Sequence, residues 1–219
     1  MNAIASIPYA EFAIQSNFSF LRGASRPEEL AVTASRLGLS AIGLADRNTV
    51  AGVVRAWQQS KVAKLPYHPG CRLVFSDGTP DILAYPQDRQ GWGHLCRMLT
   101  EANERGEKGD PDLRLDDFLK WGERMSLAVL PELGTSSDGT LTFLGQLKGR
   151  FGDSVWLAVC PSYGGNDRFR LEQAAALADA ASLPLMAVND VLYHSPERRQ
   201  LQDVVTAIRL IIPRRLGFM

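Results

Sequence analysis

The sequence predicts an α/β fold in which strands and helices alternate along the chain. Short apolar runs, typical of strands buried on both faces, alternate with longer stretches that place apolar residues at helical spacing. Six or seven such strand–helix units fit into the 219 residues, and the predicted connections are short. This pattern favours parallel strands joined by helices in one domain, and the number of units is typical of a barrel-like sheet.

The first half of the chain contains the clearest signals. Pro27 suits the first turn of a helix, Glu28 and Glu29 favour the positive end of its dipole, and Gly38 ends it. In order, we predict a strand at 9–14, a helix at 26–37, a strand at 41–45, a helix at 49–64, and strands at 73–75 and 81–85 joined by a turn at 76–80. The inward faces of the two helices are predicted to carry Leu30, Ala31, Ala34 and Leu37 in the first and Val50, Val53, Val54 and Trp57 in the second.

The second half continues the alternation after a polar loop at 106–111. An alanine-rich stretch predicts a long helix at 167–181, and the apolar run 185–188 leads directly into Asn189 and Asp190. Residues 132–140 are rich in Gly, Ser and Thr, which is typical of a loop. The remaining elements are predicted as helices at 91–105, 116–121 and 196–211 and as strands at 127–130 and 155–159.

The composition excludes several classes of protein. Lys and Arg together number 24, as do Asp and Glu, so the formal net charge is zero and no whole-chain electrostatic affinity for nucleic acid is expected. The three cysteines form no CxxC pair, which disfavours a structural zinc site and a secreted disulfide scaffold. The N-terminus lacks the pattern of a signal peptide, and no apolar stretch reaches the roughly 18 residues of a membrane span. We therefore expect a soluble cytoplasmic protein that contacts no membrane.

Three of the predicted strands end in short polar motifs. These motifs are residues 16–19, 45–48 and 189–191. In an α/β barrel the C-terminal ends of the strands carry the catalytic residues. Here they hold two aspartates, Asp46 and Asp190, and the whole chain has only three histidines. The sequence therefore has the pattern of an enzyme scaffold without its reactive groups.

Four ordered motifs resemble those of the PHP (polymerase and histidinol phosphatase) domain family. Residues 17–30 resemble its first motif, 41–54 its second and 70–73 its third, and 187–194 with 199–209 resemble the motif that closes the domain. More narrowly, these motifs are similar to those of the N-terminal domain of error-prone bacterial C-family DNA polymerases, which are relatives of the replicative polymerase III alpha subunit.

The resemblance implies a distorted (βα)7 barrel of the TIM-like type over residues 1–209. The segment 210–219 departs from the family pattern, which indicates a divergent or truncated tail. Active family members hold two or three metal ions with His, Asp and Glu side chains and hydrolyse phosphoesters, and in polymerases an intact site can act as a 3′–5′ exonuclease. In the family the chain continues into a polymerase palm, which these residues lack, so they are not expected to polymerise DNA alone.

The positions at which the family carries metal ligands hold other residues in this chain. Ala13 and Gln15 stand where the first motif carries histidines, and Leu192 stands where the closing motif carries another. Arg47 and Arg72 replace a histidine and a glutamate, and their positive charge repels divalent cations. We therefore expect no catalytic residue and no cofactor, with zinc or manganese as the alternative.

Asp46 and Asp190 are the carboxylates that remain, and the resemblance makes them vestigial metal-site positions. We favour a structural alternative, in which each caps the helix after its strand. Arg47 could bind a phosphate, but we favour an ion pair with Asp46 or Asp190, because an unpaired carboxylate in a partly buried pocket is costly. His194 is a candidate displaced ligand, although a surface position before Pro196 is the favoured interpretation.

These observations favour a binding and structural module of an error-prone polymerase that acts in translesion DNA synthesis and repair. Its expected partners are the remainder of the polymerase chain or other translesion replication proteins, with DNA contacted only indirectly. The rival hypothesis is a residual metal-dependent phosphoesterase or 3′–5′ exonuclease that uses Asp46, Asp190 and a rearranged His194. A third hypothesis is a free-standing remnant without selected activity, and the sequence leaves open whether the chain is a natural truncation or an excised domain.

Overall fold

The computed structural model describes residues 7–133 and 137–215 of the chain. Residues 1–6, where no signal peptide is predicted, lie outside this part, as do 134–136 of the predicted loop and 216–219 of the predicted tail. The strands are β1 (Ala10–Ile14), β2 (Ala41–Arg47), β3 (Tyr67–Leu73), β4 (Asp81–Pro86), β5 (Met125–Leu130), β6 (Val155–Val159) and β7 (Leu185–Ala187). The α-helices are α1 (Pro27–Arg36), α2 (Val53–Ala63), α3 (Arg89–Arg105), α4 (Leu115–Trp121), α5 (Ser137–Phe151), α6 (Asp167–Ala181) and α7 (Arg199–Arg215).

The predicted alternation of strands and helices is confirmed for most elements. α6 has the predicted bounds, and the turn predicted at 76–80 lies between β3 and β4. Short 3-10 helices lie at Gly152–Ser154 and Pro196–Arg198, and α7 continues past the predicted domain limit at 209. Within the described residues, no helix combines the length and the apolar character that a membrane crossing requires.

The backbone forms two compact units, each of which is described separately. Within the described part of the chain, the first unit comprises 7–46, 51–69 and 191–215, and the second comprises 47–50, 70–133 and 137–190. The first unit contains β1, most of β2, α1, α2 and α7. The second contains the end of β3, β4 to β7 and α3 to α6.

Parallel pairing organises the strands of the first unit. β1 pairs in parallel with β2, and the N–H of Ile42 donates to the Pro66 carbonyl just before β3 at 3.0 Å. The segment after β7 lies against β1, where the N–H of Val191 donates to the Ala13 carbonyl and the N–H of Gln15 donates to the Val191 carbonyl, both at 2.9 Å. These bonds satisfy backbone groups that an open strand edge would leave exposed.

α1 begins and ends as predicted. Pro27 is its first residue, and the Glu29 carboxylate accepts a hydrogen bond from the Arg26 N–H at 2.8 Å. Gly38 has a φ of 75°, the left-handed conformation that follows many helix C-caps. Leu37 was predicted to face inward, but it is exposed because it is the C-cap, where the chain leaves the helix.

Helices α1 and α2 pack through small side chains. Ala34 of α1 and Ala56 and Ser60 of α2 are buried, and small residues let two helices approach closely. The predicted inward face of α2 is therefore wrong for Val54 and Trp57, which are 61% and 45% exposed. The bulky apolar residues lie outside because the small ones occupy the contact between the helices.

In the second unit the strands are hydrogen-bonded in chain order from β3 to β7. β5, β6 and β7 are parallel, as predicted. β4 runs antiparallel to both β3 and β5, so the prediction of parallel strands throughout is wrong there. The physical reason is the short turn between β3 and β4, since a parallel connection needs a longer crossover.

The core of the second unit includes a helix that the sequence did not predict. α5 begins at Ser137, inside the predicted loop 132–140, and Leu144 and Leu147 are fully buried. The helix contains three glycines, each of which lowers intrinsic helix stability by about 1 kcal/mol relative to alanine. The two leucines belong to the same apolar cluster as side chains of β4, β5 and β6, so tertiary burial outweighs the low propensity.

Replacing Leu144 by alanine tests this role of α5. We expect the free energy of unfolding to fall by about 2–5 kcal/mol, because the lost side chain leaves a cavity in the core. Leu141→Ala is the control, since Leu141 lies on the same helix and is partly exposed. Urea denaturation followed by circular dichroism measures both variants, and equal losses would contradict the burial described for Leu144.

Candidate functional site

The first strand-end cluster surrounds Asp46 in the first unit. Asp46 lies near the end of β2 and is 1% exposed. Its Oδ1 accepts hydrogen bonds from the Ser16 N–H and the Ser19 hydroxyl, and its Oδ2 accepts one from the Ser16 hydroxyl, each at 2.7 Å. We call Ser16, Ser19 and Asp46 the Asp46 cluster. The prediction that Asp46 caps the next helix is wrong, because the residue before α2 is Gly52 and the carboxylate binds the loop after β1.

The burial of this cluster changes its protonation behaviour. Desolvation raises the pKa of the Asp46 carboxyl, and the hydrogen bonds from Ser19 and Ser16 partly oppose that rise. Burial and the nearby charge of Asp46 together raise the pKa of the Tyr67 hydroxyl, whose oxygen has no hydrogen-bond partner within the described residues. The carboxylate is therefore held by hydroxyl and amide donors in a weakly polar surrounding.

The loop that supplies these donors is tightly closed. The Ser19 N–H donates to the Ser16 carbonyl at 2.9 Å, and the Gly23 N–H donates to the Ser19 carbonyl at 3.1 Å. A β-carbon on Gly23 would lie 2.0 Å from the Ser16 carbonyl oxygen, so only glycine fits there. The loop 16–23 is therefore closed by its own hydrogen bonds and places Ser16 and Ser19 within hydrogen-bonding distance of the Asp46 carboxylate.

The second strand-end cluster surrounds Arg72 in the second unit. Arg72 Nε donates to Asp81 Oδ2 at 2.7 Å, and its Nη1 donates to Asp190 Oδ1 at 2.9 Å. Arg47 Nη1 also lies 3.4 Å from Asp81 Oδ2. We call these four residues the Arg72 cluster. It joins the end of β2, the middle of the β3–β4 hairpin and the segment after β7 within the second unit.

This cluster bears on two of the sequence predictions. Arg47 forms an ion pair with Asp81, a partner that the sequence analysis did not name. Asp190 was predicted to cap a helix, but it pairs with Arg72, and the residue before the following 3-10 helix is Ser195. The capping prediction fails because the segment after β7 does not enter a helix directly.

Asp81 is the functional residue that sequence reasoning missed. It is the first residue of β4, and the antiparallel register places Leu73 opposite Ile82. The turn predicted at 76–80 is the sequence feature from which the contact could have been predicted, because a hairpin with a turn of that length brings Asp81 close to Arg72.

The Arg72 cluster is charge-balanced and partly buried. The side chain of Arg72 is 14% exposed, against 21% for Asp81 and 35% for Asp190. Desolvation lowers the pKa of Arg72, but the charges of Asp190 and Asp81 outweigh it and raise the pKa above its ordinary value. The guanidinium is therefore a permanent cation fixed between two carboxylates.

This arrangement does not fit a divalent metal ion. Such an ion needs several carboxylate or imidazole ligands directed at one point. In the Arg72 cluster the guanidinium lies between the carboxylates, and within the described residues no group of three or more His, Cys, Asp or Glu side chains is arranged to hold a metal. Whether Asp46 and Asp190 are vestiges of a metal site stays a prediction.

An open cleft in the second unit adjoins the Arg72 cluster. It has a volume of ≈ 1110 Å³ and is lined in part by Arg72, Asp81 and Asp190. Arg170 lines it as well, and its Nε is buried without a hydrogen-bond partner within the described residues. The wall formed by the cluster therefore presents paired charges and not a set of metal ligands.

His194 is part of a separate polar cluster in the first unit. The ring Nδ1 of His194 lies 2.8 Å from the Ser25 hydroxyl oxygen. The backbone N–H of His194 donates to the same oxygen at 3.0 Å. Glu29 Oε2 lies 3.9 Å from this Nδ1, and Glu29 Oε1 accepts a hydrogen bond from Arg198 at 2.5 Å. These contacts fix the segment before the last helix to the start of α1, and the His194 side chain is 19% exposed, which is less than the predicted surface position implies.

The other two histidines also take part in packing. His94 lies 5.7 Å from Trp121, measured between ring centroids. His68 lies 5.4 Å from Phe12 by the same measure.

Comparison with known families assigns this chain to a class. The PHP domain family matches residues 11–181, which is most of the chain. The chain therefore belongs to the PHP domain family, as the motifs predicted.

The similar full-length proteins are DNA polymerases. An error-prone DNA polymerase of Mesorhizobium japonicum is 70% identical over 215 residues, which cover 97% of this chain and 19% of that protein. Error-prone DNA polymerase 1 of Rhizobium meliloti is 49% identical over 95% of this chain and 19% of its own length. The chain thus spans about a fifth of the length of these relatives.

Solved structures confirm the predicted fold class. A protein described as a metal-dependent phosphoesterase, from Bifidobacterium adolescentis, superposes with a TM-score of 0.62 over 87% of this chain and 89% of its own, at 16% identity. An amidohydrolase from Chromobacterium violaceum has a TM-score of 0.61 over 86% of this chain and 88% of its own, also at 16% identity. At such low identity these likenesses concern the α/β fold alone.

Removing the cation of the Arg72 cluster should destabilise the protein. We expect Arg72→Met to lower the free energy of unfolding by about 2 kcal/mol, between the values typical of exposed and buried ion pairs, because two carboxylates lose their shared partner. Urea denaturation measures the loss.

Arg168→Met is the matched control for this substitution. Arg168 pairs with Glu172 at 3.0 Å, but both side chains are largely exposed, so its loss should be negligible. Equal effects of the two variants would contradict the structural role assigned to Arg72.

Asp46 should contribute a pH dependence that an uncharged residue lacks. Because its pKa is raised in the folded protein, its stabilising contribution is complete below the ordinary value of 3.8 and is lost as the pH rises through the folded pKa. The difference in unfolding free energy between wild type and Asp46→Asn should therefore move in favour of the variant as the pH rises. Asp46→Ala should be about 1–3 kcal/mol less stable than Asp46→Asn at every pH, because in the alanine variant buried donors lose their acceptor. A difference between wild type and Asp46→Asn that stays constant with pH would contradict this assignment.

Proposed function

We propose that this chain is the PHP module of an error-prone DNA polymerase that acts in translesion DNA synthesis and repair in the cytoplasm. In this proposal the module has a structural and partner-binding role and does not hydrolyse phosphoesters with a metal. Its partners are the remainder of the polymerase chain or other translesion replication proteins, and it meets DNA only through them. The identity of 70% to a polymerase over nearly the whole chain supports the first part.

The observation that carries the structural role is the position of Arg72. Its guanidinium bonds Asp81 and Asp190 at 2.7 and 2.9 Å and so supplies the positive charge that these carboxylates need. A fixed organic cation neutralises strand-end carboxylates but offers no open coordination position for a water molecule, which metal-assisted hydrolysis requires. The cluster therefore supports cohesion of the second unit and not catalysis.

Residues of the first unit agree with this proposal. Ala13 and Leu192 have no side-chain donor for a metal, and the buried Asp46 carboxylate is directed at Ser16 and Ser19. Loss of nuclease chemistry suits translesion synthesis, because a proofreading site would remove the mispaired ends that such synthesis creates. A cohesive, inactive module is compatible with that activity.

Metal analysis of the purified chain tests the proposal. After equilibration with Zn²⁺ or Mn²⁺ and gel filtration, we expect the chain to retain well under one metal ion per molecule, because Arg72 holds the available carboxylates. Elemental mass spectrometry gives the stoichiometry. The Bifidobacterium phosphoesterase, treated in the same way, serves as a positive control for metal retention.

A nuclease assay separates the proposal from the rival hypothesis. The chain should release no nucleotides from the 3′ end of labelled DNA in the presence of Mg²⁺, Mn²⁺ or Zn²⁺. Stoichiometric metal that Asp46→Ala removes, or metal-dependent release that Asp190→Asn abolishes, would favour a residual phosphoesterase and overturn the structural proposal.

A further inference from the structure

α7 has a regular apolar face that stays exposed among the described residues of its own unit. Leu201, Val204, Ile208 and Ile211 recur at spacings of three and four residues and so lie on one side of the helix, and Val205 lies beside them. These four side chains are between 41% and 54% exposed. None of residues 199–211 is buried.

This exposure is unusual for a helix of seventeen residues. The stability of most protein helices comes from packing of an amphipathic face and not from intrinsic propensity. α1 illustrates the rule, since Leu30, Ala31 and Ala34 on its inner face are buried. On α7 the residues at 202, 205, 206 and 209 are only partly buried, and the larger apolar side chains beside them are exposed, so its apolar face is suited to contact with another surface.

A neighbouring cleft extends this apolar surface. It has a volume of ≈ 440 Å³ and lies within the first unit between the loop 17–26 and α7. Phe20, which is 81% exposed, lines it together with Leu21, Leu201 and Val205. We call Phe20, Leu201, Val204, Val205, Ile208 and Ile211 the α7 face.

The rim of the cleft is polar and already paired. Arg198 bonds Glu29, and Glu29 also accepts from the Arg26 N–H. An apolar centre with a polar rim is the usual composition of a protein–protein contact, whereas a nucleic acid would need unpaired basic side chains. The chemistry of the α7 face therefore fits an apolar protein surface.

We infer that the α7 face is the surface on which the remainder of the polymerase chain docks. This inference rests on the proposed function. The two polymerase relatives align with 97% and 95% of this chain. The aligned region is only 19% of the length of each polymerase, so most of each polymerase lies outside the aligned region. A partner domain in the same polypeptide has a high effective concentration near the α7 face. A small apolar contact can therefore hold that domain in place without an extensive interface.

Thiol footprinting tests the inference on intact proteins. Val204→Cys is introduced into this chain and into a full-length Mesorhizobium polymerase whose matched region is replaced by this chain. Iodoacetamide labelling of the new thiol is followed by mass spectrometry of its peptide. Labelling in the polymerase should be slower than in the free chain, on the order of tenfold or more, as expected when the docked state is populated above nine-tenths of the time.

Val62→Cys provides the matched control. Val62 is an apolar residue on α2 of the same unit and is 77% exposed, so its thiol should react at the same rate in both proteins. Protection of Val204→Cys without protection of Val62→Cys supports the inference. Equal labelling of Val204→Cys in the polymerase and in the free chain would overturn it.

Two further outcomes separate the alternatives. Concentration-dependent protection of Val204→Cys in the free chain would mean that a second copy covers the α7 face, which also overturns the inference. Primer extension by the unlabelled polymerase with this chain in place reports on the proposed function independently. An inactive polymerase would reject that function and the inference with it, whereas an active polymerase with a reactive thiol would reject the docking surface alone.

Discussion

The constraint on which the structure depends is that a carboxylate at a buried strand end must be matched by donors at fixed positions. Removing an ionised carboxylate from water costs several kcal/mol unless hydrogen bonds or an opposite charge replace the lost hydration. Asp46 meets this requirement with two serines and a backbone N–H, and Asp190 meets it with the guanidinium of Arg72. Each carboxylate thereby becomes a point of attachment within its own unit.

The two units meet the same requirement with different chemistry. In the first, neutral hydroxyl donors surround Asp46 in a weakly polar environment, which raises its pKa and makes the protonation state sensitive to burial. In the second, Arg72 keeps its charge at any physiological pH and bridges Asp81 and Asp190. A divalent ion would compete for the same carboxylates, so the guanidinium and a metal are mutually exclusive occupants of this position.

Cohesion at the strand ends contrasts with the surface of α7. Each unit has a core of fully buried aliphatic residues, but the last helix leaves its apolar face exposed. This contrast is expected of a domain that forms its own buried core and uses the apolar face of its last helix to contact another protein surface. The polymerase relatives, of which this chain matches about a fifth, are consistent with that division of roles.

The sequence by itself determined the family and most strands and helices, because apolar periodicity, helix caps and short motifs are local properties. It did not determine α5, where burial of Leu144 and Leu147 outweighs glycine-rich local propensity, or the inner face of α2, where small residues allow close helix packing. It identified Arg47, Arg72, Asp46 and Asp190, but it did not predict the pairing of Arg72 with Asp190, and it missed Asp81. Only the tertiary structure decided those pairings, because they join residues as much as 118 positions apart, and the antiparallel turn of one hairpin selects which charges meet.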